Sequence, residues 1–411
     1  MTSIINISPN TQHYLELEEK YGAHNYHPLP VVLNRGEGVF LFDVDGKRYY
    51  DFLSGYSAVN QGHCHPKIIA TLIGQAQQLT LTSRAFHNNL LGEYEQYITD
   101  LFGYDKVLPM NTGVEAVETA IKLSRKWGYQ VKGIPADKAK IIVCRDNFHG
   151  RTSAVISFSN DPLARTNFGP FMPGYEPIPF NDLAALEKAF QDNTVAAFLF
   201  EPIQGEAGVV VPDDGYYQGI RTLCTEYNVL MVADEIQTGL ARTGRMLACD
   251  HENVRPDILL LGKALSGGIL PVSAVLCDDA IMMTIKPGQH GSTYGGNPLA
   301  CAVAMAALQV IQDEQLAKNA EMMGSLLRTK LQELNSPFII TVRGKGLLIA
   351  IVIKHPHTDA AWELCLSLKE NGLLAKPTQG DKIRFAPPLV INEEQVMECV
   401  AIIKKSLDCL L

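Results

Sequence analysis

The chain has 411 residues, 46% hydrophobic and 19% charged, with a formal net charge of −9. That length can bury a large core and divides into more than one domain, and the balance excludes a disordered chain. The acidic charge, with no basic run or arginine stripe, argues against a nucleic-acid surface, and no apolar stretch is long enough to span a membrane. Nine scattered cysteines with no C-x-x-C spacing fit reduced thiols in the cytosol. The start, Met1-Thr2-Ser3-Ile4-Ile5-Asn6, lacks the basic region and apolar core of a signal peptide and the arginines of a mitochondrial presequence, so a cytoplasmic location is expected.

In chain order, residues 1–59 form a polar start and a hairpin over 39–52, with Asp45-Gly46 as its turn. This segment is expected to pack with a small domain. From 60 to 298, helical patterns alternate with apolar runs: Ile141-Ile142-Val143, Ala196-Ala197-Phe198-Leu199-Phe200, Leu230-Met231-Val232 and Leu259-Leu260-Leu261. Such alternation predicts an α/β large domain, its mainly parallel sheet covered by helices. From 299 to 411 a long helical stretch, two strand-like runs and a final helix predict a smaller α+β domain. No repeats or low-complexity segments occur.

Three features carry chemistry. Lys263 ends the run Asp257-Ile258-Leu259-Leu260-Leu261-Gly262-Lys263. Its stem would lie in the core and its amine in a water-poor pocket, where desolvation disfavours the ammonium form and makes a nucleophile. The plain alternative is a strand-end lysine whose head reaches water. Asp234 closes Val229-Leu230-Met231-Val232-Ala233-Asp234, at the carboxyl end of a strand, where open sheets bind ligands. It could hold a cation, a metal or a protonated heterocycle. The Asp234-Glu235 pair also resembles a Walker B strand, but no G-x-x-x-x-G-K-[ST] loop accompanies it.

The third feature is a helix start. Asn111-Thr112-Gly113-Val114-Glu115 precedes a helical pattern carrying Val117, Ile121 and Trp127. Thr112 and Glu115 have capping-box spacing. The N–H groups of Thr112, Gly113 and Val114 would form an anion site, favoured by the helix dipole. Thr293, in Gly291-Ser292-Thr293-Tyr294-Gly295-Gly296, could serve the same anion. Each of these segments also reads as an ordinary capped helix and a plain turn.

A reactive lysine, a buried carboxylate and a phosphate cradle together describe a site for pyridoxal 5'-phosphate (PLP), with Lys263 bonded to the cofactor and Asp234 keeping its ring nitrogen protonated. Asp234-Glu235-Ile236-Gln237-Thr238-Gly239, with Gly262-Lys263-Ala264, resembles the class-III (omega) aminotransferases of the PLP-dependent transferase fold type I. Tyr21-Gly22-Ala23-His24-Asn25-Tyr26-His27-Pro28, Glu201-Pro202-Ile203-Gln204-Gly205-Glu206-Ala207-Gly208 and Arg384-Phe385-Ala386-Pro387-Pro388 are similar to the ornithine aminotransferases, and the likeness runs from about Tyr21 to the C-terminus.

That resemblance implies a seven-stranded-type sheet and a homodimer with active sites at the interface. It implies transfer of the δ-amino group of L-ornithine to 2-oxoglutarate, giving glutamate 5-semialdehyde, which cyclises to pyrroline-5-carboxylate, and glutamate. Acetylornithine, 4-aminobutyrate and lysine aminotransferases of the same family are the alternatives, and a non-catalytic scaffold is a different one. By resemblance, Phe148 stacks on the cofactor ring, Gln237 contacts its phenolic oxygen, and Ser292 and Thr293 reach the phosphate in the partner subunit. Arg151 and Tyr26 hold the α-carboxylate of ornithine, and Tyr56 bonds its α-amino group. Arg384 takes the α-carboxylate of 2-oxoglutarate, while Glu206 covers Arg384 when ornithine is bound. Histidine at position 149, where animal enzymes typically carry tryptophan, reads as tolerated variation. His24, His27, His63 and His65 match no zinc pattern, so no metal is expected.

Overall fold

The structure is a computed structural model and describes residues 7–411; the Met1–Asn6 start, on which the leader reading rests, lies outside the described residues. A helix, Pro9–Tyr21, leads into three antiparallel strands, β1 (Leu33–Glu37), β2 (Phe40–Asp43) and β3 (Arg48–Asp51). The expected hairpin is β2–β3. Its turn places Gly46 at φ 85°, a conformation that favours glycine.

The central sheet has seven strands: β4 (Lys106–Met110), β5 (Lys140–Cys144), β6 (Tyr175–Ile178), β7 (Val195–Phe200), β8 (Leu230–Asp234), β9 (Ile258–Leu261) and β10 (Ser273–Cys277). Their order is β4-β10-β9-β8-β7-β5-β6. Only β10 runs against the others.

Both faces of this sheet are covered, which is why its strands read as unbroken apolar runs rather than alternating ones. Successive residues still point to opposite sides. Ile141, Val143, Leu230 and Val232 pack with the helix Gly113–Trp127. Ile142, Cys144, Met231 and Ala233 pack with the helices Leu183–Phe190 and Tyr216–Glu226. The same alternation separates Asp234 from Glu235. Asp234 keeps the parity of Leu230 and Val232. Glu235 turns away, accepting from Thr238 Oγ1 and from the Cys249 backbone N–H at 2.9 Å.

A third sheet, wholly antiparallel, contains β11 (Ile339–Lys345), β12 (Leu348–Ile353), β14 (Lys376–Thr378) and β15 (Lys382–Phe385) in the order β11-β12-β15-β14. Between β12 and β14, the short β13 (Leu373–Leu374) pairs in parallel with β3, so a strand near the C-terminus completes the N-terminal sheet. No helix among the described residues is long and apolar enough to cross a membrane.

Candidate active site

The carboxyl ends of five parallel strands of the central sheet converge, as expected for a ligand site in an open α/β sheet. β4 leads to Thr112, β5 to Phe148, β7 to Glu201, β8 to Asp234 and β9 to Lys263. One cavity is lined by Gly113, Val114, Phe148, Asp234, Gln237 and Lys263 together with His149 and Glu201. It lies beside a wider one lined by Tyr26, Tyr56, Arg151, Glu206 and Arg384, and the two share Phe148 and His149.

On the floor, Asp234 is buried with both oxygens engaged. Oδ2 lies 2.6 Å from His149 Nδ1, and Oδ1 accepts from the Ile236 N–H at 3.1 Å. His149 is fully buried, and its Nε2 has no partner among the described residues. Burial alone would lower its pKa, but the bond to Asp234 and that carboxylate's charge outweigh it and raise the imidazole above its ordinary 6.5. His149 is therefore no bystander to a stacking ring: it is the closest partner of the strand-end carboxylate. Glu201 accepts the Phe148 N–H at 2.9 Å, and burial pushes its carboxyl up to about 7. It went unnoticed in the sequence, although it follows an apolar strand just as Asp234 closes one.

Lys263 has a positive φ of 44°, and its Nζ has no hydrogen-bond or ion-pair partner among the described residues. Burial lowers its pKa, against the opposing charge of Glu206. The capping box at the helix start is formed. However, the Thr112 N–H donates to Glu115 at 2.7 Å, because a reciprocal box uses the N-cap residue's own donor. The N–H groups of Gly113 and Val114 remain without an acceptor among the described residues. A Cβ at Gly113 would lie 3.1 Å from Ile236, and one at Gly150, where φ is 129°, would lie 2.4 Å from Val114. The cup thus sits directly against the strand end that carries Asp234. Ser292 accepts from Asn111 Nδ2 at 2.7 Å beside the cup, and Thr293 is exposed. This set suits PLP: a desolvated lysine, a carboxylate for a protonated ring nitrogen, and backbone donors for a phosphate.

In the wider cavity, Arg384 is 1% exposed. Its Nη1 donates to Glu206 Oε1 at 2.7 Å and to Gln237 Oε1 at 3.2 Å, and its guanidinium lies 5.2 Å from the Tyr56 ring centroid. Burial opposes ionisation of Glu206, but Arg384 wins and holds its pKa below the ordinary carboxylate value. Gln237 Nε2 also donates to Glu206 Oε1, at 3.1 Å. Opposite, Arg151 stands 5.6 Å from the Phe148 ring, and Tyr26 is 64% exposed. Tyr56 sits in a run of four residues of positive φ, Ser54 to Ser57, with φ 61° and ψ 46° at Tyr56 itself. Asp51 Oδ1 accepts the N–H groups of Leu53 and Ser54, both at 2.8 Å, and so anchors the start of this left-handed turn.

The histidines of the N-terminal half pair singly with acids where they pair at all. His63 Nε2 lies 2.7 Å from Asp51, and His65 Nε2 lies 2.8 Å from Glu314. Among the described residues no three or more His, Cys, Asp or Glu side chains come together as a metal site.

The family "Aminotransferase class-III" matches residues 21–407. The chain is 65% identical to "Ornithine aminotransferase, mitochondrial" of Rattus norvegicus, over 97% of this chain and 91% of that protein. It is 66% identical to the protein of the same name in Drosophila melanogaster, over 95% and 90%. Among solved structures, the acetylornithine aminotransferase from Elizabethkingia anophelis is 60% identical with a TM-score of 0.89, covering 97% of this chain and 99% of that one. The ornithine aminotransferase from Toxoplasma gondii ME49 is 50% identical with a TM-score of 0.94, covering 96% and 94%. The strand-end lysine and carboxylate, the helix-start cup and these likenesses agree, and the chain belongs to the class-III aminotransferases.

Proposed function

We propose that the chain transfers the δ-amino group of L-ornithine to 2-oxoglutarate, giving glutamate 5-semialdehyde and glutamate. The observation that carries this reading is the Arg384–Glu206 pair at 2.7 Å. A buried guanidinium suits a dicarboxylate's α-carboxylate. Covered by Glu206, it is withheld from ornithine, whose α-carboxylate then goes to Arg151 and Tyr26 across the cavity, with its α-amino group toward Tyr56. The δ-amine is thereby left to face Lys263.

PLP, when bound, would supply an electron sink next to the amine-bearing carbon. Phe148 would cover one face of its ring, and Gln237 would contact its phenolic oxygen. Asp234, aligned by His149 and Ile236, would keep a proton on the ring nitrogen. Gly113 and Val114 would donate backbone N–H groups to the phosphate, while the Thr112 hydroxyl, like its N–H, is engaged with Glu115. Lys263 Nζ, its ammonium form disfavoured by burial, takes the proton from Cδ of ornithine as general base.

The chain acts as a homodimer, in which Ser292 and Thr293 serve the partner's phosphate. The exposure of Thr112 and Thr293 supports this arrangement. The chain divides at 1–59, 60–298 and 299–411, a reading supported by the pairing of β3 with β13. Nine cysteines, all free, fit a reducing compartment. The cytosol is proposed, against the mitochondrial names of two relatives.

A second reading, N-acetylornithine as the amino donor, is favoured by the likeness to the Elizabethkingia structure. Mixing the PLP-loaded protein with each amine separately, and following the absorbance band of the lysine-bound cofactor, decides between them. Ornithine should discharge the band rapidly and N-acetylornithine slowly. The reverse order would replace the first reading with the second.

A further inference from the structure

We infer that Gln237 is the latch of the Arg384–Glu206 gate, and that Gly205 is glycine so that the latch can close. This rests on the proposed role of that pair. Chemistry fixes which way the Gln237 amide points. A guanidinium only donates and a carboxylate only accepts, so the amide oxygen must face Arg384 and the amide nitrogen must face Glu206. Both contacts are present, at 3.2 Å and 3.1 Å. The amide thus closes a three-membered ring of hydrogen bonds with the ion pair.

The approach that makes this possible is unusually close. A Cβ on Gly205 would fall 1.6 Å from Gln237 Oε1 and 2.7 Å from its Cδ. Gly205 has no positive φ that would otherwise ask for glycine. The missing side chain makes room for the amide beside the residue that carries the gate, Glu206. The backbone of Glu206 is itself tied down, since its carbonyl accepts from Thr378 Oγ1 at 2.8 Å. Opening the gate is therefore a side-chain movement of Glu206, and the bond to break besides the ion pair is the one from Gln237 Nε2.

When Glu206 leaves, Arg384 would stand buried with its Nε unpartnered. Gln237 Oε1 is the acceptor that stays. The same amide therefore holds the gate shut and steadies the guanidinium once it is open. Gln237 is also three residues from Asp234, so it links the specificity arginine to the strand end beneath the cofactor.

The test is calorimetric titration of the full-length, PLP-loaded protein with glutarate, a dicarboxylate that has no amino or oxo group to react. Glutarate must displace Glu206 from Arg384 to bind. Glu206→Gln removes the competing charge and should tighten binding at least tenfold. Gly205→Ala, which pushes the amide aside, and Gln237→Leu, which removes it, should each tighten binding about fivefold to tenfold. Unchanged or weaker binding in Gln237→Leu, with Glu206→Gln still tightening, overturns the latch and leaves the gate standing. No tightening in Glu206→Gln overturns the gate itself and the latch with it.

Discussion

The floor of the cavity and its rim are built on opposite terms. On the floor, Asp234, His149 and Glu201 are buried, and each finds a partner within the same chain. On the rim, Thr112, Thr293, Tyr26 and Arg151 are exposed. The floor is complete before any ligand arrives, so its electrostatics are preorganised and need no rearrangement during reaction. The rim leaves these groups open to a ligand. In the proposed function, the shared chemistry falls to the first region and the choice of substrate to the second.

The comparison can be broken most severely at Lys263. Lys263→Ala should lower turnover roughly 10⁴-fold or more, because the proposed function makes one amine both covalent anchor and general base. Steady-state rates, with the loss of the lysine-bound absorbance band, measure it. A residual rate near wild type would remove the floor from the mechanism.

Asp234→Asn keeps the shape and removes the charge. The expected loss in kcat is roughly 10²–10³-fold, the scale for removing one preorganised electrostatic contact. KM for ornithine should move far less, since the proposed function holds ornithine at the rim. A loss confined to KM would mean that floor and rim are not separate.

The rim is tested by Ser292→Ala, which should weaken PLP retention about fivefold to tenfold in equilibrium dialysis while leaving turnover at saturating PLP nearly intact. Retention should also fall on dilution in the wild-type protein if a second subunit completes the cup. Indifference to dilution would place the whole phosphate site within one chain.

The smallest effect concerns His149. Its folded-state pKa is raised above 6.5. Its charged contact with Asp234 thus contributes stability fully below pH 6.5, and that contribution is lost as pH rises through the folded value. The gap in Tm between the wild type and His149→Phe should accordingly be larger at pH 6 than at pH 9, by about 1–2 °C. A gap that widens at high pH would mean the imidazole is held neutral.

How far this arrangement was legible in the chain follows the same division. Asp234 and Lys263 end apolar runs, and strand ends in parallel sheets are where ligands bind, so both stand out from a local pattern. The hairpin at Asp45-Gly46 and the capped helix after Thr112 are local too. The bond between His149 and Asp234 joins residues 85 apart in sequence, and no periodicity announces it. β10 reads like its neighbours, because a strand covered on both faces is apolar whichever way it runs. β13 is two residues long, too short to carry any pattern. Gln237 was legible as a cofactor contact by resemblance, but its place between Glu206 and Arg384 depends on β15, which arrives from a different sheet. Capping geometry also corrected one detail: the Thr112 N–H is already used by Glu115.

The left-handed turn from Ser54 to Ser57 has one more consequence. Three of its four residues carry side chains in a region that L-residues avoid, at roughly 1–2 kcal/mol each. Glycine at position 56 would relax the backbone and erase the aromatic wall beside Arg384. In the proposed function, relief of backbone strain and recognition of the substrate therefore pull this position in opposite directions.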